Sequence, residues 1–462
     1  MPSPTITTRS GDVRLEPSRR LQGVYRPPAD KSIAHRALIL SALADGRSLV
    51  SPITRSLDVA STASCLRQLG VDVALQDDAW IVTSPGFSRW IAPERSLDCG
   101  NSGTTMRLLA GCLAGSAFSA TLIGDESLSR RPMARIAEPL RRMGAQVTLS
   151  STQTAPVRVD GTSLSGISYL MPVPSAQVKS AVLLAGVQAA GTTTVIEEYH
   201  SRDHTERMLA AAGVDCLVET AARPVGDKRE LLLSGALESD ANLQKRTIRI
   251  GEKRRVQPCE WIIPGDFSAA AFILAAALGA HKSHVIIDQV GLNPTRTGLL
   301  RVLRRMGAEI EIKRQGEQGG EPVGQIHVEA STGLKATRVG EQEIPSLIDE
   351  LPILAVLAAN AEGVTVIRGA GELRHKETDR IAAVTKNLRE MGAKVAELED
   401  GWAIEGPTEW HGADIDPDGD HRIAMAFSVA AMWADAPSVL REAGVIAISD
   451  PDFLSSLVAL AH

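Results

Sequence analysis

The chain has 462 residues, of which 44% are hydrophobic and 23% are charged, and its formal net charge is −6. This length is sufficient for two or three domains with separate cores, and the composition is typical of a globular protein. The negative net charge argues against a nucleic-acid binder that relies on bulk charge.

Two further features indicate the compartment. No apolar run approaches the roughly 20 residues of a membrane span, and the first stretch, MPSPTITTRSGDVRL, lacks the apolar core of a signal peptide. The cysteines are odd in number and form no CxxC pair, which fits a reducing compartment better than a disulfide framework. We therefore expect a cytoplasmic protein with neither a membrane nor a nucleic acid as its partner. The five cysteines are Cys65, Cys99, Cys112, Cys216 and Cys259.

One pattern, a helix end followed by glycine and a strand, recurs along the chain. Its copies read LRQLGVDVAL at Leu66, LRRMGAQVTL at Leu140, LRRMGAEIEI at Leu303 and LREMGAKVAEL at Leu388, with a weaker MLAAAGVDCLVE at Met208. Each copy predicts a helix that ends at a C-cap glycine and leads into a strand. This recurrence indicates an internal repeat.

A second pattern alternates with the first: an alanine-rich helix, a turn of small residues and a β-branched strand. Its copies are ALILSALADGRSLV, MRLLAGCLAGSAFSATLI, AVLLAGVQAAGTTTVI, AFILAAALGAHKSHVII, LPILAVLAANAEGVTVI and AMAFSVAAMWADAPSVL. Helices that are apolar on nearly every face are buried. The sequence therefore predicts an α/β fold of six similar units, three in each half.

Two polar stretches interrupt this pattern. The charge-rich segment 221–256 is predicted to have little regular structure, and we place the boundary between the two halves at its end, where WIIPGDF leads into the fourth buried helix. The segment RQGEQGGEPVG, which starts at Arg314, is predicted to be a surface loop.

Cations recur at the starts of the predicted helices, where they oppose the positive end of the helix dipole. Pro132 is predicted to lie in the first turn of a helix, after Arg130 and Arg131, and HKETDRI is predicted to open a helix with Lys376 and Arg380 one turn apart. Helix amino termini with converging lysines and arginines indicate a site for phosphate and carboxylate groups. The other cations of this set are Lys31, Arg36, Arg107, Lys179 and Arg422.

Two acids lie among these cations, Asp349 in SLIDELP and Glu377 in KETDR. Each acid has two interpretations, because acids also favour helix starts as caps. Beside a group of cations, a carboxylate can instead carry a proton. His35 and His421 form no HxxxH or HxH pattern, so the sequence predicts no metal site.

Eight motifs in order resemble those of the 5-enolpyruvylshikimate-3-phosphate (EPSP) synthase family. They are DKSIAHRALIL, LDCGNSGTTMRLLAG, RRPMARIAEPLRRMGA, PSAQVKSAVLLAG, NPTRTGLLRVLRRMGA, IDELPILA, RHKETDRI and GDHRIAMAFS. The resemblance implies a two-domain inside-out α/β barrel with three βαβαββ-type units in each domain and the active site in the cleft between the domains. It further implies one discontinuous domain, 1–28 plus 264–462, and a second domain, 29–263.

The family transfers the enolpyruvyl group of phosphoenolpyruvate to the 5-hydroxyl of shikimate 3-phosphate and uses no metal or organic cofactor. The reaction belongs to the shikimate pathway of aromatic amino-acid biosynthesis. Shikimate 3-phosphate is then expected to meet Lys31, Ser32, Arg36, Ser175, Ala176, Gln177, Arg202, Asp349 and Lys376. Phosphoenolpyruvate is expected to meet Lys31, Gly103, Arg131, Gln177, Arg380 and Arg422.

The resemblance also implies four catalytic residues. Asp349 would accept the proton of the reacting hydroxyl, with Lys376 beside it, and Glu377 would deliver and remove the proton at the methylene carbon. Lys31 would contact both substrates. We expect small-molecule substrates as the partners and a monomeric enzyme.

The chain departs from the common family pattern at two positions. Ile448 stands where many members have a lysine that contacts phosphoenolpyruvate, and Leu108 replaces a common proline. Glyphosate inhibits the family; Gly103 matches sensitive members, whereas Leu108 points the other way. Two alternatives stay open: a transferase acting on UDP-N-acetylglucosamine, whose characteristic cysteine is missing from GDESLSRRP, and a non-catalytic anion-binding module, against which the acids argue.

Overall fold

The computed structural model describes residues 8–9, 11–18, 20–222, 244–331 and 333–461. The chain divides into two compact units. Unit 1 comprises Met1–Pro28, Pro264–Gly316 and Pro322–His462, and unit 2 comprises Ala29–Ile263 and Glu317–Glu321.

Helices alternate with strands along both units. Among the described residues they are α1 Lys31–Leu43, α2 Leu57–Gln68, α3 Gly103–Leu113, α4 Glu126–Ser129, α5 Ala134–Arg142, α6 Ala176–Gly186, α7 His204–Ala211, α8 Phe267–Gly279, α9 Gly298–Arg305, α10 Leu351–Ala358, α11 Arg380–Glu390, α12 His421–Trp433 and α13 Phe453–Leu460. No helix in these ranges is both long enough and apolar enough to cross a bilayer.

The strands are short and fall between these helices. They are β1 Thr8–Arg9, β2 Asp12–Leu15, β3 Arg20–Tyr25, β4 Asp45–Ser51, β5 Asp72–Gln76, β6 Ala79–Pro85, β7 Leu97–Asp98, β8 Ser119–Ile123, β9 Gln146–Thr148, β10 Val157–Asp160, β11 Ser168–Leu170, β12 Thr193–Glu197, β13 Cys216–Ala222, β14 Gln244–Ile250, β15 Glu260–Ile262, β16 Lys282–Gly291, β17 Ile310–Gln318, β18 Glu321–Glu329, β19 Arg338–Val339, β20 Gly363–Ile367, β21 Lys394–Leu398, β22 Gly401–Gly406, β23 Asp414–Ile415 and β24 Ser438–Leu440.

The strands form six separate four-stranded sheets, three in each unit. The sheets share one plan, in which a parallel pair is extended by antiparallel neighbours; β7 pairs parallel with β8, for example, and β10 pairs antiparallel with both β8 and β9. The predicted α/β fold of six repeated units is thereby confirmed. The sheet orders are β15-β4-β6-β5, β7-β8-β10-β9 and β11-β12-β14-β13 in unit 2, and β1-β2-β24-β23, β17-β18-β16-β3 and β19-β20-β22-β21 in unit 1.

The alanine-rich helices are buried, as their apolar pattern predicts. Every residue of α12 is buried, as is every residue of α10. Small side chains let such helices approach closely. In unit 2, a Cβ atom added at Gly111 of α3 would lie 2.4 Å from the carbonyl oxygen of Ala181 in α6, so this position admits no side chain without a shift of backbone.

Two predictions about the polar stretches are wrong. Residues 244–250, predicted to have little regular structure, form β14, which pairs with both β12 and β13; residues 223–243 of that stretch lie outside the described residues. The predicted surface loop after Arg314 is a hairpin of β17 and β18. Gly319 and Gly320 have φ values of +57° and +83°, which suit the tight turn of a two-residue hairpin.

The contact at Gly111 yields a prediction about stability. Gly111→Ala should lower the free energy of unfolding by about 1–3 kcal/mol, because the new methyl group overpacks the contact between α3 and α6. Denaturant unfolding checks this, with Gly340→Ala as the control, since Gly340 has no atom within 4 Å of an added Cβ. Equal unfolding midpoints for the two variants would contradict the close approach.

Candidate active site

Three helices of unit 2 begin with the same arrangement, a polar cap followed at once by a predicted site residue. Asp30 caps α1, Ser102 caps α3 and Ser175 caps α6, each by accepting a backbone N–H of the first turn. The caps hold the helix amino termini that carry Lys31, Gly103 and Ala176. Such amino termini favour anionic ligands.

Lys31 and Arg36 of α1 are held by neighbouring elements of unit 2. The Lys31 Nζ atom lies 3.0 Å from Asp58 Oδ2. Arg36 is buried, and it donates hydrogen bonds to Thr205 Oγ1 at 2.8 Å and Ser180 Oγ at 3.0 Å. Burial lowers the pKa of Arg36 to about 10, so the guanidinium remains charged at neutral pH.

Two further groups surround the start of α3. Arg107 Nη1 donates to Gln177 Oε1 at 2.6 Å, and Gln177 Nε2 donates to Thr104 Oγ1 at 3.0 Å, which ties α6 to α3. Arg131 Nη2 donates to Asn101 Oδ1 at 2.7 Å.

The backbone at Gly103 is approached by both arginines of this group. A Cβ atom added there would lie 2.7 Å from Arg107 Nη1 and 3.6 Å from Arg131 Nη1. Lys31, Gly103, Arg131 and Gln177 thus lie on connected elements of one unit.

Arg202 lies in the segment before α7, and its positive charge acts to lower the pKa of Arg36. Its neighbour Ser201 is buried and donates its backbone N–H to Glu197 Oε1 at 3.2 Å. The buried carboxylate of Glu197 therefore holds the segment that carries Arg202.

The prediction that Lys179 contributes to an anion site is wrong. Its side chain is 0% exposed, and its Nζ atom lies 2.9 Å from Glu197 Oε2 and 2.7 Å from Glu206 Oε1. Burial acts to lower the pKa of Lys179, but the two carboxylates outweigh it and raise that pKa above its ordinary value. The Lys179 ammonium also donates to the Ser201 carbonyl oxygen at 3.3 Å, so its N–H groups are directed to three acceptors of unit 2 and Lys179 is a structural cation.

In unit 1, Arg380 is the centre of a charged cluster. It is 1% exposed; its Nε atom donates to Asp420 Oδ2 at 2.7 Å, and its Nη2 atom donates to Glu377 Oε2 at 2.7 Å. Burial acts to lower the pKa of Arg380, but Asp420, Glu377 and Asp349 together raise it above its ordinary value. Arg380 Nη1 makes no hydrogen bond within the described residues and lies 3.7 Å from Asp349 Oδ1.

Asp349 lies in the 3-10 turn Ile348–Glu350, directly before α10. Arg422 contacts it twice: the Nε atom lies 3.8 Å from Asp349 Oδ1, and the Nη1 atom donates to the Asp349 carbonyl oxygen at 3.2 Å. The side chain of Asp349 is 17% exposed. The structure thus brings together Asp349, Glu377, Arg380 and Arg422.

Two predicted helix starts are wrong. Lys376 lies outside α11, which begins at Arg380 because Asp379 caps it by accepting the N–H groups of Ile381 and Ala382. The Lys376 Nζ atom instead lies 3.2 Å from Glu372 Oε1. Pro132 precedes α5, whose first residue is Ala134.

The sequence does not predict several of the residues that make these contacts. Asp420 is 0% exposed and both caps α12 and binds Arg380. Its position before His421 signals a cap, but the pairing with an arginine 40 residues away has no local signal. Asp58 beside Lys31 and Asn101 beside Arg131 are further examples.

The segment around Ile448 contains a buried acid, Asp450. Ile448 ends the 3-10 helix Ala443–Ile448. The buried side chain of Asp450 accepts a hydrogen bond from the Tyr25 hydroxyl at 3.1 Å, and burial raises the pKa of Asp450 to about 6. No group of three or more potential ligands among the described residues could hold a metal ion.

His35 is part of the packing of unit 2. It is 0% exposed, and its Nδ1 atom lies 2.7 Å from Thr62 Oγ1. Burial lowers the pKa of His35 to about 3, so the ring is neutral at physiological pH.

Unit 2 carries capped helix starts with lysine and arginine side chains, and unit 1 carries a buried arginine beside carboxylates. Such groups are typical of enzymes that act on multiply anionic substrates. The sequence model of the EPSP synthase (3-phosphoshikimate 1-carboxyvinyltransferase) family matches residues 15–226 and 234–457. The chain belongs to this family.

Two relatives illustrate the match, both named 3-phosphoshikimate 1-carboxyvinyltransferase. The protein of Synechococcus sp. (strain JA-3-3Ab) is 45% identical over 99% of this chain and 98% of its own length. The protein of Bacillus subtilis (strain 168) is 42% identical over 96% of this chain and 97% of its own length. These names do not favour the alternative that acts on UDP-N-acetylglucosamine.

Solved structures agree with this assignment. EPSP synthase from Acinetobacter baumannii has a TM-score of 0.81 and 36% identity over 97% of this chain and 98% of that chain. The enolpyruvyl transferase NikO from Streptomyces tendae has a TM-score of 0.74 and 17% identity over 97% of this chain and 96% of that chain. The second likeness shows the shared fold.

The buried contact between Arg380 and Asp420 yields a prediction. Asp420→Asn should lower the free energy of unfolding by about 3 kcal/mol, because it leaves a buried guanidinium short of one negative partner. Denaturant unfolding measures the change.

Asp416→Asn is the matched control. Asp416 pairs with Lys386 at 2.7 Å, but both side chains are about half exposed, so the loss should be at most about 1 kcal/mol. Similar losses in the two variants would show that burial does not strengthen the Arg380 contact.

Proposed function

We propose that the chain is a 3-phosphoshikimate 1-carboxyvinyltransferase, which transfers the enolpyruvyl group of phosphoenolpyruvate to the 5-hydroxyl of shikimate 3-phosphate and releases phosphate. Family membership supports the reaction. The surroundings of Arg380 support it most directly. This buried guanidinium donates a hydrogen bond to Glu377. Its Nη1 atom makes no hydrogen bond within the described residues and lies 3.7 Å from Asp349 Oδ1. This combines a binding group for an anion with two groups able to move protons.

The acids divide the proton transfers between them. Glu377 donates a proton to the methylene carbon of phosphoenolpyruvate, which makes the adjacent carbon electrophilic. The 5-hydroxyl then attacks this carbon while Asp349 accepts the hydroxyl proton, and Lys376 orients the hydroxyl. In the resulting tetrahedral intermediate, the bond from carbon to the phosphate oxygen breaks as Glu377 removes a proton from the new methyl group.

The cations hold the charged groups during these steps. Arg380 and Arg422 bind phosphoenolpyruvate beside the carboxylates, together with Arg131, Lys31, Gln177 and the backbone N–H of Gly103. Fixed cations stabilise the charge that develops on the leaving phosphate. Shikimate 3-phosphate is bound by Lys31, Ser32, Arg36, Ser175, Ala176, Gln177 and Arg202.

Further proposals concern the partners, the cofactors, the compartment and the oligomeric state of the enzyme. The partners are two small anionic substrates, and the residues named above perform the chemistry without an organic or metal cofactor. The five cysteines are all unpaired by disulfides, which fits a cytoplasmic enzyme. We also propose that it is a monomer, which light scattering after size-exclusion chromatography would test.

Phosphate release tests the reaction directly. With phosphoenolpyruvate present, shikimate 3-phosphate should give stoichiometric phosphate, and UDP-N-acetylglucosamine should give none. If phosphate were released with UDP-N-acetylglucosamine and not with shikimate 3-phosphate, the nucleotide sugar would be the acceptor. Binding of shikimate 3-phosphate without any release would identify an anion-binding module.

A substitution at Glu377 tests the proton transfer to carbon. Glu377→Gln should lower kcat by about 10² or more, because the amide cannot donate or accept the proton, while substrate binding is retained. Steady-state kinetics and calorimetric titration measure the two effects. Glu390→Gln, at the exposed end of α11, is the control and should leave kcat unchanged; an unchanged kcat in Glu377→Gln would refute the role.

A substitution at Lys31 tests the shared binding role. Lys31→Ala should raise KM for both substrates by about tenfold or more, the loss of one charge-assisted hydrogen bond to each. Lys386→Ala, which removes a half-exposed lysine of unit 1, is the control. If Lys31→Ala changed only the thermal stability, Lys31 would be a surface residue of its helix.

A further inference from the structure

A second charged cluster of unit 1 lies directly behind the turn that carries Asp349. Glu350 is 1% exposed, and its Oε1 atom accepts hydrogen bonds from Arg296 Nη1 at 2.7 Å and from Ser268 Oγ at 2.5 Å. Arg296 is 3% exposed and also lies 3.4 Å from Asp266 Oδ1. The cluster joins the start of α8, the segment before α9 and the 3-10 turn before α10.

Stability alone does not account for such a pair. The transfer of two charges out of water is costly, and replacement of buried ion pairs by apolar side chains of similar size is often neutral or stabilising. The Oε2 atom of Glu350 is buried and makes no hydrogen bond within the described residues, which adds to this cost. A position that keeps a partly unsatisfied buried carboxylate therefore suggests a role other than stability.

The geometry of the turn connects this cluster to Asp349. In a 3-10 helix, successive side chains are separated by about 120° because there are about three residues per turn. Glu350 therefore points into the core toward Arg296, while Asp349 points toward Arg380 and Arg422. Arg422 also binds the carbonyl oxygen of Asp349, so the turn is held on two sides by arginines.

We infer that Glu350 and Arg296 form a buried anchor that fixes the rotation of the turn Ile348–Glu350 and so sets the position of the Asp349 carboxylate. The two residues are positioning residues, since they act on Asp349 through the turn that carries it. The inference rests on the proposed function, in which Asp349 accepts the hydroxyl proton. A misplacement of about 1 Å at a reacting group can cost about 10²-fold in rate, so the anchor should act on kcat.

The decisive variant replaces both partners, Glu350→Leu together with Arg296→Met, so that neither charge of this buried pair is left without the other. The melting temperature should stay close to that of the unaltered enzyme, whereas kcat for phosphate release should fall about 10- to 100-fold. KM for phosphoenolpyruvate should change by less than about threefold, because the cations proposed to bind it are intact. A kcat within about twofold of the unaltered enzyme would overturn the inference.

A separate substitution in the same unit guards against a folding defect. Asp12→Asn is the control, since Asp12 pairs with Arg441 at 2.8 Å in the same unit and touches none of the site residues named above. An equal loss of kcat in Asp12→Asn would show a general effect of destabilisation and would overturn the inference.

A crystal structure of the double variant separates this inference from the proposed function. Displacement of the Asp349 carboxylate by about 1 Å or more relative to Arg380 supports the anchor, and a position within about 0.5 Å overturns it. This readout holds even if the unaltered enzyme releases no phosphate with shikimate 3-phosphate, the result by which the proposed function itself would fail.

Discussion

The buried guanidinium of Arg380 is the constraint on which the candidate site of unit 1 depends. A cation that is 1% exposed is tolerated only with negative partners close by. Asp420 and Glu377 provide two hydrogen-bonded contacts, and Asp349 provides a third carboxylate at 3.7 Å. Neutralisation of Arg380 therefore brings the two proposed proton carriers, Glu377 and Asp349, close to one guanidinium. The same cluster of charges can then bind an anion and transfer protons.

In unit 2, neutral groups help to orient two of the predicted site arginines. Hydroxyl groups of Thr205 and Ser180 accept hydrogen bonds from Arg36, and the amide oxygen of Asn101 accepts one from Arg131. A neutral acceptor orients a guanidinium without adding a negative charge beside it. Lys179 differs, because two buried carboxylates and a carbonyl oxygen receive its N–H groups.

The sequence was sufficient for the repeat, the buried helices and most of the local helix starts, because these depend on periodicity and on capping within a few residues. It was insufficient where distant residues decide the outcome. Lys179 resembles the other cations in its pattern, yet its partners come from β12 and α7; Lys376 resembles a helical residue until Asp379 is seen to cap α11. The pairing of Arg380 with Asp420 likewise arises from the packing of α11 against the start of α12.

In the proposed mechanism, the enolpyruvyl group is transferred through protonation of its methylene carbon and subsequent loss of a proton from a methyl group. NMR of the product formed from phosphoenolpyruvate and shikimate 3-phosphate in D₂O tests these two steps. Deuterium is expected in the methylene group of the product, since the methyl group of the intermediate contains one solvent-derived hydrogen. Product formed with no deuterium in its methylene group would rule out the protonation step.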